Sequence, residues 1–202
     1  RGACADYINK TFSTNYTGDN FYMTVGAAAS LTISLSAISE ENGEVIVLAP
    51  FFPEYKVFIE KAGAKMVLIP AEIEGFQIDF DAFGKALSPK TKAVLINTPN
   101  NPTGVVYSEE TIKKLAQMLR DKSEEYGNPI YLISDEPYRE IVYDGAQTPW
   151  VPKYYDNTIV CYSFSKSLSI PGERIGYIAV NPKMQGEREV YLAVCGAGRS
   201  LG

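Results

Sequence analysis

Lys166 stands among hydroxyls in Ser163-Phe164-Ser165-Lys166-Ser167, with Arg174 a short way downstream. Two further segments precede it, Asn100-Asn101-Pro102-Thr103-Gly104 and Ser134-Asp135-Glu136-Pro137-Tyr138. Together they offer an amine nucleophile, donors for a phosphate and a carboxylate. Asn101 and Tyr138 add two hydrogen-bonding groups suited to a phenolic oxygen. That set could hold an aromatic aldehyde that carries a phosphate, joined to the amine as a Schiff base.

Composition narrows the alternatives. The chain has 202 residues and 0 His. Without histidine, Ser-His-Asp and Cys-His triads, HExxH metal sites and histidine general bases are all excluded. Any catalyst must use Lys, Tyr, Asp, Glu or a cofactor. The 3 cysteines, Cys4, Cys161 and Cys195, form no CxxC pair. An odd count of that kind suits neither a disulfide framework nor a zinc site, and a reducing cytoplasm is expected. A net charge of -5 speaks against nucleic acid as a partner. No apolar run is long enough to span a membrane, and no signal peptide is visible. The 46% hydrophobic and 21% charged content is that of a globular domain.

The hydrophobic period switches repeatedly between that of strand and that of helix. Strands are expected at residues 21–25, 44–48, 65–69, 92–97, 130–134, 158–162 and 175–180. Helices are expected at 27–39, 54–62, 79–87 and 108–126, the last opened by Ser108 near a capping arrangement. Ala3 to Ile8 reads as the tail of a helix already under way. Asp144 to Asp156 reads as a surface excursion, and Ala197 to Gly202 as an end without a closing element. Arg1 is not an initiator methionine, so the expectation is a piece excised from a longer protein. Apolar strands interleaved with helices imply an α/β fold, three layers with a mostly parallel central sheet.

In such a sheet, ligands gather at the carboxyl ends of the strands. Gly26-Ala27-Ala28, Asn101, Asp135 and the Ser163 to Lys166 segment each follow a strand. Four strand ends thus converge on one edge. Each residue also has a plainer reading: Asp135 as a helix cap, Asn101 as an Asn-Pro turn, Phe52 as a core aromatic, Gly26-Ala27-Ala28 as close helix packing. The strand Tyr131 to Ser134 followed by Asp135-Glu136 is also like the acidic strand of a P-loop ATPase, but no GxxxxGK[ST] accompanies it.

Asn101-Pro102-Thr103-Gly104, Asp135-x-x-Tyr138, Ser163-x-Ser165-Lys166 and Arg174-x-Gly176-Tyr177 occur in one order along the chain. In these motifs the sequence resembles the large, cofactor-binding domain of class I/II aminotransferases, the fold-type-I pyridoxal phosphate enzymes related to aspartate aminotransferase. The resemblance covers nearly all of residues 1–202. It implies pyridoxal phosphate as cofactor, with Lys166 as the Schiff-base lysine that moves the substrate proton. Such a lysine needs neighbouring cations and partial burial. Asp135 would pair with the protonated pyridine nitrogen, while Asn101 and Tyr138 would bond the ring hydroxyl oxygen. Ser163, Ser165, Arg174 and the backbone N–H groups of Ala27 and Ala28 would hold the phosphate. Phe52 would stack on the ring, and Tyr55 is a further candidate lining residue. Relatives often carry Ser or Thr after the glycine, where this chain has Ala27.

The resemblance implies amino-group transfer between an amino acid and a 2-oxo acid by a homodimer, with no nucleic-acid or membrane partner. A pyridoxal phosphate lyase or synthase of the same fold, or the sensory domain of a transcription regulator, would share these residues. An N-terminal arm and a C-terminal small domain of the family have no counterpart in residues 1–202. The piece alone is therefore expected not to transaminate.

Overall fold

In the computed structural model, the described residues are 1–70, 72 and 75–201. Gly202, the last residue of the expected domain, lies outside them. Seven strands form one sheet: β1 (Phe21–Thr24), β2 (Glu44–Leu48), β3 (Lys65–Ile69), β4 (Thr91–Asn97), β5 (Tyr131–Asp135), β6 (Thr158–Ser163) and β7 (Gly176–Val180). Their order is β1-β7-β6-β5-β4-β2-β3. The pairs β3/β2, β2/β4, β4/β5 and β5/β6 are parallel. Strand β7 is antiparallel to both β6 and β1. The carboxyl ends of β1, β2, β4, β5 and β6 therefore share one edge with the start of β7.

Seven α-helices accompany the sheet among the described residues: α1 (Gly2–Phe12), α2 (Ala27–Ile38), α3 (Glu54–Lys61), α4 (Phe80–Ala86), α5 (Glu109–Tyr126), α6 (Phe164–Ser167) and α7 (Glu187–Leu201). Alternation along the strands divides the core. Val45, Val47, Leu95, Ile133, Ile159 and Ile178 point to one face, against Leu31 and Leu35 of α2, Tyr55 and Ile59 of α3, and Val190 and Val194 of α7. Ile46, Leu48, Val94, Ile96 and Leu132 point to the other, against Phe83 of α4 and the α5 stripe Ile112, Leu115, Ala116 and Leu119. That stripe has the i, i+3, i+4, i+7 spacing of one helix face. Ser108 caps α5 by accepting from the Thr111 N–H at 3.1 Å. The result is the three-layer α/β arrangement expected from the alternating periods.

Two expectations are corrected. The chain's last stretch does close on an element: α7 packs Val190, Tyr191 and Val194 into the core. Its small residues Gly196, Ala197 and Gly198 masked a helical pattern. The segment 144–156 is only partly a surface excursion. Trp150 is buried, its ring stacked on Phe12 of α1 at 4.8 Å, and Val151 and Tyr155 are buried with it. The buried side chains Trp150, Val151, Pro152 and Tyr155 outweigh the segment's polar content.

Candidate active site

The ten residues that the resemblance assigns to the cofactor line one cavity of about 350 Å³ at the carboxyl edge of the sheet. That volume lies within the range of small-molecule sites, roughly 300–1,000 Å³. Ala27 and Ala28 are the first residues of α2. Phe52 follows β2, Asn101 follows β4, and Asp135 ends β5 with Tyr138 just beyond. Ser163 ends β6, Ser165 and Lys166 lie on the single turn of α6, and Arg174 precedes β7.

One part of the cavity is built for an anion. The first N–H groups of α2 have no partner within the helix, and its N-cap Gly26 has no side chain to offer them. Arg174 lies beside them, donating Nη2–H to the Val25 carbonyl at 3.1 Å and Nη1–H to that of Pro171 at 3.0 Å. Its own φ is 52°, in the left-handed region, which costs a non-glycine residue on the order of 1 kcal/mol. Ser163 donates to Ser165 Oγ at 2.8 Å and accepts from the Ser165 N–H at 3.1 Å, which ties the hydroxyls to α6.

A second part is built for a cation. Asp135 is 5% exposed. Its Oδ2 accepts from the Tyr55 hydroxyl at 2.5 Å, and its Oδ1 has no partner among the described residues. Burial pushes the carboxyl up to about 7, with the Glu136 charge adding to it and the Tyr55 hydrogen bond opposing it. A buried carboxylate with a free oxygen calls for a charged N–H donor.

Asp135 and Tyr138 are held by their neighbours. Ser134 donates to Glu136 at 2.7 Å, and Glu136 pairs with Arg139 at 2.9 Å. Arg139 also donates to the Tyr177 hydroxyl at 2.9 Å, and its guanidinium lies 4.4 Å from the Tyr162 ring centre. This buried network occupies the sheet face away from Tyr55. Asn97, the last residue of β4, joins the next two elements. Its amide donates to the Asp135 carbonyl at 2.8 Å and accepts from the Asn101 N–H at 2.6 Å. The Asn-Pro turn itself is closed by Asn100, which accepts from Thr103 N–H at 3.1 Å and Thr103 Oγ1–H at 2.8 Å. The Asn101 side chain is thus not what closes it.

Lys166 Nζ lies 5.9 Å from the centre of the Tyr138 ring. The Tyr138 phenol is raised above its ordinary value, first by burial and then by the Asp135 charge. Lys166 is exposed at the cavity rim, as is Arg174, so the partial burial expected of this lysine is absent. The physical reason is its place on α6, a single turn with no buried residue. Three lining residues went unread in the sequence, Asn97, Pro137 and Pro171. Asn97 had a signal, a lone amide at the end of an apolar strand. Tyr55, expected as a lining residue, is instead buried behind the wall, because its side chain packs into the core and its hydroxyl is spent on Asp135.

Three features of the cavity match pyridoxal phosphate. A phosphate fits the α2 end with Arg174, a pyridinium N–H fits the free oxygen of Asp135, and an aldehyde suits the Lys166 amine. Phe52 supplies an aromatic face.

The model of the family described as "Aminotransferase class I and II" matches residues 1–199. The chain belongs to the class I and II aminotransferases. Members of this family work with pyridoxal phosphate. A crystal structure of an amino transferase from Eubacterium rectale is 58% identical, with a TM-score of 0.98, and the match covers 100% of this chain and 51% of that one. Thermus thermophilus aspartate aminotransferase is 30% identical with a TM-score of 0.86, over 98% of this chain and 49% of that one. A probable aspartate/prephenate aminotransferase of Thermus aquaticus is 36% identical over 184 residues, 91% of this chain and 46% of the relative. The chain spans about half the length of the curated relatives it matches.

Proposed function

We propose that the protein carrying this chain transfers an amino group between an amino acid and a 2-oxo acid, with pyridoxal phosphate held in the cavity at Lys166. The observation that carries this reading is Asp135, buried, with one oxygen held by Tyr55 and the other unpartnered, in the cavity that Lys166 lines. The cofactor, when bound, supplies an electron sink for negative charge at the substrate α-carbon. The residues do the rest. The Asp135 carboxylate keeps the ring nitrogen protonated. The Lys166 amine holds the aldehyde carbon and, once displaced, moves the proton at the α-carbon. Asn101 and Tyr138 bond the ring hydroxyl oxygen. Arg174, Ser163, Ser165 and the N–H groups of Ala27 and Ala28 hold the phosphate, and Phe52 covers the ring.

The domain over residues 1–202 is read as the family's large, cofactor-binding unit. The exposed apolar side chains Val25, Leu168 and Ile175 near the cavity support a homodimer with this edge at its boundary. The free thiols Cys4, Cys161 and Cys195 suit a reducing cytoplasm. Among the described residues no helix is long and apolar enough to cross a membrane.

The test is a half-reaction in the full-length protein. Loaded with pyridoxal phosphate and given single amino acids, it should yield one equivalent of 2-oxo acid and stop until an acceptor 2-oxo acid is added. Continuous release of ammonia or carbon dioxide without an acceptor would contradict transfer and favour a lyase.

A further inference from the structure

Tyr55 is 1% exposed and lies on the first turn of α3, in contact with both Asp135 and Phe52 of the cavity wall. Its hydroxyl donates to Asp135 Oδ2 at 2.5 Å. Its ring meets Phe52 edge to face at 5.6 Å and lies near-parallel to Phe51 at 6.5 Å. Its N–H donates to the Phe52 carbonyl at 3.0 Å, so the turn that carries Phe52 also fixes Tyr55. A buried phenol could have been satisfied by any main-chain carbonyl. Here it is directed at the one carboxylate that reaches the cavity.

We propose that Tyr55 is a positioning residue: its hydroxyl fixes Asp135 through Oδ2, reserves Oδ1 for the ring nitrogen of pyridoxal phosphate and favours the ionised carboxylate. This rests on the reading of the cavity given above. The consequence follows from where protons sit. Between Asp135 and a pyridine nitrogen one proton is shared. A donor on Oδ2 stabilises the negative carboxylate and therefore favours the proton on nitrogen. Tyr55 keeps its own proton, because burial and the Asp135 charge hold its phenol well above its ordinary range. The other titratable groups around Asp135 are Glu136 and Tyr138 on its own segment and Cys161 on β6, with Lys166 and Arg174 across the cavity. None of these gives Asp135 a side-chain hydrogen bond among the described residues.

The test uses the full-length protein as wild type, as Tyr55→Phe, and with 3,5-difluorotyrosine at position 55. The fluorinated residue keeps nearly the shape of tyrosine and donates more strongly, so it serves even where Tyr55→Phe fails to fold. In the cofactor-free protein, the Asp135 carboxyl is titrated by carbon-13 resonance. Its midpoint should rise by about one pH unit or more in Tyr55→Phe and fall with difluorotyrosine. In the loaded protein, the nitrogen-15 resonance of labelled pyridoxal phosphate should move toward that of neutral pyridine in Tyr55→Phe only. A role in packing alone would move neither signal with difluorotyrosine. Wild-type protein that takes up no pyridoxal phosphate overturns the functional reading and this assignment with it. Protein that takes it up, with midpoint and resonance unmoved by both changes, overturns this assignment alone.

Discussion

A methyl group on Gly26 would stand 2.6 Å from Nη2 of Arg174. Gly26 has φ +108°, a conformation that favours glycine, and it caps α2. The backbone of β7 presses on the same point, since a Cβ on Gly176 would lie 3.0 Å from Gly26 Cα. Two glycines therefore let the guanidinium reach the N-terminus of α2. Positive charge and free N–H groups meet there only because neither position carries a side chain.

Gly26→Ala should displace Arg174 while leaving every phosphate donor in the sequence. The expected result is a dissociation constant for pyridoxal phosphate raised about tenfold or more, corresponding to at least ~1.4 kcal/mol. Absorbance titration measures it. Arg174→Ala should give a loss of similar size. A dissociation constant unchanged by both substitutions would mean that the anion is held elsewhere.

Asp135 sets a pH dependence with a definite sign. Its carboxyl is raised from its ordinary value of 3.8 to about 7 in the folded chain. The uncharged form is thus the one the fold prefers. Its contribution is fully present below pH 4 and is lost as pH rises through 7. Asp135→Asn removes that dependence. Without cofactor, the variant should gain about 2–3 kcal/mol on wild type between pH 5 and pH 8. It should also lose orders of magnitude in turnover. Chemical denaturation at the two pH values gives the first number, and parallel denaturation lines would refute it.

Asn97→Ala should leave the Asn101 N–H and the Asp135 carbonyl without their partner. An unpaired buried polar group costs about 1–3 kcal/mol, and two are created here. Unfolding in urea should show a loss of that order, together with weaker cofactor binding, because both ends of the bridge line the cavity. Loss of stability with binding intact would make Asn97 a fold residue only.

Much of this was legible in the sequence. The apolar runs that became β2 to β7 and the stripe of α5 depend on local periodicity, which a sequence displays directly. Most of the candidate site residues were legible because they follow a strand, and a parallel sheet brings strand ends to one edge, where Arg174 enters β7. What could not be read depends on distance across the fold. The bond from Tyr55 to Asp135 joins positions on different elements, and nothing in Phe52-Pro53-Glu54-Tyr55 says where its hydroxyl points. The burial of Trp150 depends on α1 packing beneath it. The exposure of Lys166 depends on how little of α6 is covered. Helix α7 was hidden because its Gly and Ala residues carry little hydrophobic signal.

The ionic network behind the cavity makes a separate prediction. Arg139→Leu leaves Glu136 buried and unpaired, and should cost on the order of 3–5 kcal/mol. The double substitution Glu136→Gln with Arg139→Leu should recover a substantial part of that loss, since no buried charge remains. Urea denaturation of the three proteins measures both steps. A single substitution without effect would show that Glu136 takes up a proton at no cost.

The most direct measurement is chemical trapping at Lys166. Protein incubated with pyridoxal phosphate should develop visible absorbance. Borohydride should then fix the pyridoxyl group to one lysine, found by peptide mapping at Lys166 and lost in Lys166→Ala. A label recovered only on other lysines, or spread over them equally in both proteins, would contradict the assignment of this cavity as the cofactor site.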